Sequence, residues 1–465
     1  MPGPAHSRSN PEFLDRETDP QLDSRATRRD CVIHARTAPL SLGSPRVPTV
    51  PQPTEHQHQD RIVVTGTGLI TALGVGTEVN WSALLAGGDG VGPLHGIDFK
   101  GAPDKGGGQA PGLSPDSLAG IPPQARRERA AAYLFCCAQE CVHSAGLEQS
   151  NPYAPARRGM IVGTTLGGMN SGGVFLESCR RRGVGRARFG EMRRWQPSAV
   201  MRPVLDAFSL AGAGITTTTA CASGLSSIGL AMMMLRSSRL DLIIAGGYDP
   251  MCVYTYAGFN SLMLVDGEAI RPFDAKRKGL KIGEGYGLLA LERRTDALRR
   301  GARILGEVVG YGESSDAHHL TRPHPDGQGA VRAMRIALTD ARLRPDQIDH
   351  INAHGTATPN NDSSEYRAME RVFGTHLRRI PVSAVKSALG HALGGAGGVE
   401  AIFTLLAIRS GIAPATLHTR CVDSAMPDLD LVTDQPRVHP IRHAMSNSFG
   451  FGGSNASLIL GVCDE

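Results

Sequence analysis

The sequence predicts a mixed α/β protein built from two similar halves, on three observations. From residue 61 onward, short apolar runs of strand length alternate with longer stretches of helical periodicity. The pattern restarts with a fresh strand after about residue 303, although no clear sequence repeat accompanies it. Gly supplies 57 of the 465 residues, which suits the tight turns and close backbone approaches of a layered fold. The length itself exceeds one minimal core.

Residues 1–60 are rich in Pro, Ser, Arg, Asp and His, carry almost no apolar periodicity, and read as a disordered extension. His56 and His58 within it are better read as part of a solvated tail than as metal ligands, because no further ligands are spaced around them. The first half, 61–303, opens at Arg61-Ile-Val-Val-Thr-Gly-Thr-Gly, a short buried strand ending in a glycine turn. These glycines lack the remainder of a dinucleotide-binding fingerprint. A helix is expected over Arg126–Ala145, a strand at Gly159-Met-Ile-Val-Gly-Thr, a helix over Ser223–Arg236 and a strand at Asp241-Leu-Ile-Ile-Ala-Gly-Gly. The second half, 304–465, repeats the theme. It has a strand from Ile304, a helix over Gly329–Ala341, a strand end at His350-Ile-Asn-Ala, a helix over Val399–Arg409 and a last strand at Ala456-Ser-Leu-Ile-Leu.

Composition narrows the function. Hydrophobic residues at 41% and charged residues at 20% are those of a soluble globular chain, and no apolar run reaches membrane-spanning length. Aromatics at 5% argue against base stacking, and the basic run Arg180-Arg-Arg-Gly-Val-Gly-Arg-Ala-Arg comes with no nucleic-acid-binding motif. The net charge of +5 favours an acidic partner without naming one. The nine cysteines show no paired spacing, which points to free thiols, a reducing compartment and a cytoplasmic protein.

Thr216-Thr-Thr-Thr-Ala-Cys-Ala-Ser-Gly is the most informative stretch. Threonines favour an extended strand, small residues surround Cys221, and a helical run follows from Leu225. Cys221 therefore falls on a strand-to-helix turn, where a helix N-terminus lowers a thiol pKa and small neighbours admit a substrate. Taken alone, a buried structural cysteine is an equal reading.

Asn352-Ala-His-Gly-Thr-Ala-Thr puts His354 at a strand end facing a crevice, with Thr356 and Thr358 offering hydroxyls to an amide-containing ligand arm. A capped turn with a satisfied His is the plain alternative. Ser383-Ala-Val-Lys-Ser-Ala-Leu-Gly-His-Ala-Leu-Gly-Gly supplies Lys386 and His391, and its glycines lack the spacing of a phosphate loop. Asn447-Ser-Phe-Gly-Phe-Gly-Gly is a glycine-hinged loop in which Phe451 can swing and present its backbone N–H.

These four segments in this order, together with Arg271-Pro-Phe-Asp and Gly283-Glu-Gly, resemble the β-ketoacyl synthase family, closest to its decarboxylating, elongating members, from about Arg61 to Val462. The resemblance implies a thiolase-like fold, two α/β halves in five α-β-α-β-α layers, as a homodimer or a heterodimer with a related ketosynthase subunit. It implies a 3-oxoacyl-acyl-carrier-protein synthase that condenses an acyl thioester on Cys221 with malonyl-acyl-carrier-protein, releasing CO2. His354 and His391 would be the catalytic histidines, with Lys386 and Glu365 as a supporting ion pair. Thr356 and Thr358 would hold the phosphopantetheine arm. Phe449 and Phe451 would line the acyl pocket, Phe451 as its gate, and Leu166-Gly-Gly-Met-Asn-Ser-Gly-Gly would form its wall. Backbone N–H groups of Cys221 and Phe451 would make the oxyanion hole. Arg126, Arg127 and Arg129 would dock the acidic carrier. No metal or redox cofactor is implied; the substrates ride on the carrier's phosphopantetheine arm.

The chain departs from the family at Arg277-Lys-Gly-Leu, at Gly212-Ala213 and at Asn260-Ser-Leu-Met-Leu. These departures leave the catalytic set intact and make a specialised polyketide or polyene ketosynthase an alternative to fatty-acid synthesis. A non-catalytic partner subunit is disfavoured because Cys221 and both histidines are retained.

Overall fold

The computed structural model describes residues 61–97, 99, 103–148 and 151–464; the extension over 1–60, with His56 and His58, lies outside them. Ten strands of an eleven-stranded sheet form two sets of five. The first set is β1 (Ile62–Thr71), β2 (Arg158–Gly163), β3 (Ala213–Thr217), β4 (Leu242–Asp249) and β5 (Gly285–Arg293). The second is β6 (Gly306–Ser315), β7 (His350–Asn352), β8 (Val382–Ser383), β9 (His443–Phe449) and β10 (Ser454–Gly461).

Numbered within its own set, each half runs third, second, fourth, fifth, first across the sheet. In both, the third–second and second–fourth pairs are parallel and the other two antiparallel. Duplication is thus written in the topology where the residues show no repeat. The sets join where Ile62–Val64 pairs with Gly306–Val308.

The helices that build the layers and the site are α1 (Arg129–Ser144), α2 (Met169–Arg182), α3 (Ser223–Arg236), α4 (Val253–Ser261), α5 (Gln328–Ala341), α6 (Pro359–Phe373) and α7 (Ala396–Ser410). Helix α1 covers β1 and β5 from outside, and α5, backed by α6, covers β6 and β10. Between the sets lie α3 and α7, each touching strands of both, so the order is α-β-α-β-α. Their central position explains their composition. Contrary to the sequence expectation, Leu393–Ser410 is long and apolar enough to cross a membrane by length and composition, yet 89% of it is buried inside the fold. Burying apolar surface on every side of a helix calls for an apolar circumference rather than a stripe.

Two expectations need correction. The opening strand does not end at its glycines; β1 continues through Gly66 and Gly68 to Thr71. A Cβ on Gly68 would sit 2.0 Å from the Cys137 carbonyl oxygen and one on Gly66 2.4 Å from that of Cys141. The glycines therefore let α1 lie against the strand rather than turn it. The helix expected from Arg126 starts at Arg129. Glu128 is extended and accepts the Ala130 N–H as its N-cap, while its other carboxylate oxygen accepts the Ser171 N–H at 2.8 Å.

Candidate active site

Cys221 occupies the turn between β3 and α3. Ala220 before it has φ +51°, a conformation that L-residues rarely adopt and that marks a sharply bent turn. The turn closes through Ala222 N–H to Thr219 O and Ser223 N–H to Ala220 O, each 3.1 Å. It is pinned from outside by a chain of side chains, Thr219 to Ser226 at 2.8 Å and Ser226 to Glu313 at 3.0 Å.

His391 reaches Cys221 from the loop after β8, with Nε2 3.1 Å from Sγ. The Leu393 backbone N–H donates to His391 Nδ1 at 3.2 Å. A backbone amide can only donate, so the imidazole proton sits on Nε2, aimed at the sulfur. His354 follows β7, and Lys386 Nζ donates to its Nδ1 at 3.3 Å, which leaves its Nε2 protonated too. The two rings stand edge to face, 5.3 Å between centroids. Burial, then the Lys386 charge, holds both imidazoles well below the usual histidine range, so both are neutral donors at physiological pH.

Lys386 has a different partner from the one expected. Its ammonium is paired with Glu400, on α7, and both side chains are 1% exposed. Glu365, on α6, instead accepts the backbone N–H groups of His354 at 2.7 Å and Gly355 at 2.9 Å. It fixes the loop that carries His354, and burial pushes its carboxyl up to about 7. Asp249, at the end of β4, was missed. It accepts Thr164 Oγ1 at 2.6 Å, the Leu166 N–H at 2.9 Å and the Gly394 N–H at 2.7 Å, tying β2 and β4 to the loop that holds His391. Asp362 does the same for the threonine loop, accepting the N–H of Phe273 at 2.7 Å and of Ala357 at 3.1 Å.

Expectation and structure also differ at the thiol. Burial pushes Cys221 up to about 11, outweighing the Lys386 charge and the N–H groups of Phe451 and Cys221, which pull it down. The resting group is therefore a thiol at neutral pH. Because the folded pKa lies above the ordinary thiol value, thiolate keeps accumulating as pH rises towards 11. Alkylation of Cys221 by iodoacetamide is expected to accelerate throughout pH 8 to 11, followed by mass spectrometry of its peptide; a rate that levels off below pH 8 would contradict this electrostatic account.

One cavity joins Cys221, His354 and His391 to Thr356, Thr358, Phe449 and Phe451. The hydroxyls of Thr356 and Thr358 lie 3.0 Å apart, and the Phe449 ring is 5.9 Å from that of His354. Phe259, Leu264 and Leu280 add an apolar wall. The segment from Leu166 to Gly173 is not part of the lining; Leu166, like Phe259, packs on the apolar cluster that contains Leu280, and Gly172 and Gly173 face Trp195 and Tyr254. The cavity measures about 90 Å³, against the roughly 300–1,000 Å³ of a typical ligand site. Phe451 stacks on Phe259 at 5.5 Å between centroids and is only half-buried.

Gly452 beside it has φ +75°, a conformation that costs a glycine little, which is consistent with the expected gate without itself showing movement. Phe451→Ala is therefore expected to flatten the discrimination between short and long acyl donors in Cys221 acylation while costing less than the roughly 3–5 kcal/mol of a core Phe→Ala change. Acylation rates and a thermal melt of the same variant check it; unchanged length preference with a full core-sized loss would assign Phe451 a structural role.

The three arginines expected to dock a carrier separate. Arg129 is not free to meet a carrier: its guanidinium forks onto Glu284, at 2.7 and 2.8 Å, and lies 4.2 Å above the Tyr133 ring. This pairing accounts for the acid of Gly283-Glu-Gly. Arg126 holds the carbonyls of Ile121 and Ala119. Arg127 lines a groove of about 730 Å³ with Arg193, Arg194 and Arg202, distinct from the cavity of Cys221.

The geometry stands beside three comparisons. The β-ketoacyl synthase N-terminal domain model matches residues 59–297 and the C-terminal domain model residues 305–420. A curated relative named 3-oxoacyl-[acyl-carrier-protein] synthase 2, from Rhizobium meliloti (strain 1021), is 37% identical over 419 residues, covering 86% of this chain and 98% of its own. Among solved structures, the ishigamide ketosynthase/chain length factor superimposes with a TM-score of 0.82 at 35% identity, over 87% of this chain and 100% of that one. A type II ketosynthase in complex with its acyl-carrier protein, AntDE:AntF, gives 0.77 at 27% identity over the same shares.

Proposed function

The chain belongs to the β-ketoacyl synthase family, and from that premise we propose that it extends an acyl chain held on Cys221 by decarboxylative condensation with a malonyl group, both delivered by acyl carrier protein. The observation that carries this reading is the convergence of two neutral imidazoles, each with its proton on Nε2, beside a buried cysteine.

In the first half-reaction the Cys221 sulfur attacks the acyl thioester and gives up its proton, the C–S bond to the carrier arm breaks, and the arm's sulfur takes that proton and leaves as a thiol. The N–H groups of Cys221 and Phe451 stand ready for the tetrahedral oxyanion. In the second, the malonyl C–C bond breaks and CO2 leaves. Negative charge develops on the thioester oxygen, where the Nε2–H groups of His354 and His391 can stabilise it. The resulting carbanion attacks the acyl group on Cys221, the acyl–sulfur bond breaks, the sulfur leaves as thiolate and takes a proton from water to restore the thiol, and the 3-oxoacyl product departs on the second carrier.

No metal is needed in this scheme, although Cys221 Sγ and a nitrogen from each histidine all lie within 4.8 Å of one another, a spacing that would also suit an ion. Activity undiminished by exhaustive dialysis against a chelator separates the two. Carrier docking is assigned to the groove of Arg127 and Arg193 rather than to Arg129. A dimer, with itself or with a related subunit, is supported by the open edge of β3 and by Val174, Leu176 and Phe189, 43%, 46% and 50% exposed. The described cysteines are free thiols, in keeping with a reducing cytoplasm.

A second reading, a specialised polyketide ketosynthase, is favoured by one observation: identity to the ishigamide ketosynthase/chain length factor, 35%, nearly equals the 37% to the Rhizobium enzyme. Acyl carriers of graded length, each supplied with malonyl-carrier, are expected to give 3-oxoacyl products two carbons longer, read by mass. Saturated acyl donors preferred over 3-oxo or unsaturated ones would favour fatty-acid synthesis and the opposite order the specialised pathway. No extended product from any donor would refute condensation.

A further inference from the structure

We propose that Arg322 binds the phosphate at the carrier end of the phosphopantetheine arm and so sets how far that arm enters; this rests on the carrier-bound substrate proposed above. Arg322 lines the same cavity as Cys221 but at the opposite end of its burial gradient. Cys221, His354 and His391 are buried at its base, whereas Arg322, Leu320, His319 and Asn360 are exposed at its rim.

The rim arginine is unspent. Among the described residues its guanidinium makes no hydrogen bond or ion pair, whereas Arg126 and Arg129, two of the arginines considered above as docking candidates, are committed to carbonyls or to Glu284. The one acid lining the cavity, Asp316, makes no ion pair with it; its two oxygens accept instead from Asn455 Nδ2 and the His324 N–H, each at 3.0 Å. The backbone that carries Arg322 is also anchored. Gly452 N–H donates to Leu320 O at 2.7 Å and Asp316 N–H to Gly453 O at 2.8 Å, which fastens this rim to the Phe451 loop. A free guanidinium on an anchored loop, above a path lined by Thr356 and Thr358 and ending at a nucleophilic sulfur, matches a ligand with an anion at one end and a thioester at the other. Guanidinium is the side chain best shaped for a phosphate, which it can hold with two parallel hydrogen bonds.

The test compares Cys221 acylation by an acyl-phosphopantetheine and by the acyl-pantetheine lacking only the phosphate, in wild type, Arg322→Ala and Arg322→Lys. Wild type is expected to prefer the phosphorylated donor in kcat/KM. Arg322→Ala is expected to shrink that preference about ten- to a hundredfold, the range of a lost hydrogen bond to a charged group, with Arg322→Lys in between. A preference unchanged in Arg322→Ala overturns the proposal while leaving condensation intact. Acyl-coenzyme A bears a phosphate at the same place, so the comparison is repeated with acyl-carrier and acyl-coenzyme A. Sensitivity to Arg322→Ala confined to acyl-coenzyme A would overturn the carrier arm as the source. A wild type acylated by none of the donors would refute the proposed function itself.

Discussion

Cys221→Ala is expected to lower acyl transfer on the order of 10⁶-fold, the scale of losing a catalytic nucleophile, with the fold retained. The substitution removes one sulfur from a turn whose geometry depends on backbone hydrogen bonds at Thr219 and Ala220, not on the thiol. Cys221→Gln divides the reaction further. Its amide can occupy the acyl position while His354 and His391 keep their Nε2 protons, because Lys386 and the Leu393 N–H are untouched. Malonyl-carrier decarboxylation should therefore persist or rise in Cys221→Gln while condensation vanishes. Loss of CO2 release from a well-folded Cys221→Gln protein would mean that the histidines do not carry that step.

Glu400→Ala is expected to cost about 3–5 kcal/mol of stability, since it strands the Lys386 ammonium at 1% exposure without its carboxylate. It should also abolish decarboxylation, because Lys386 sets the His354 tautomer. The double replacement Lys386→Met with Glu400→Leu separates the two effects. An apolar pair of similar volume removes the uncompensated charge and should recover most of the stability. Activity should stay lost, because no donor then holds His354 Nδ1. Chemical denaturation beside a CO2-release assay checks both. A stable, fully active Glu400→Ala would show that the ion pair is dispensable, and an active double variant would show that His354 does not need its lysine.

The strands and helices with strong apolar periodicity were legible in the residues, and Ser223–Arg236 has the bounds expected of it. What escaped is instructive. The glycines of β1 look like a turn signal because a glycine needed for helix approach is identical, in one sequence, to a glycine needed for a bend. The nucleophile and the two histidines could be read from motifs because each lies in a stretch of small residues at an element boundary. Their supports could not, since Glu400 sits fourteen positions beyond Lys386 in a separate helix. A signal was present nonetheless. Glu400 is the single acid in Ala396–Ser410, a helix apolar through most of its length, and a buried carboxylate requires a buried partner, either a cation or N–H and O–H donors. Asp249, closing the apolar run of β4, carried the same mark. The thiol pKa is not legible for a related reason: a motif displays the helix N-terminus but not the depth of burial that overrides it.

The central claim, that Cys221 carries the growing chain, is met most directly by mass spectrometry of the intact protein. After incubation with an acyl-carrier of defined length, one acyl increment is expected on the peptide containing Cys221. Adding malonyl-carrier should remove that increment, release CO2 and yield a 3-oxoacyl-carrier two carbons longer. An acyl increment on any other residue, or one on Cys221 that malonyl-carrier cannot discharge, would contradict it.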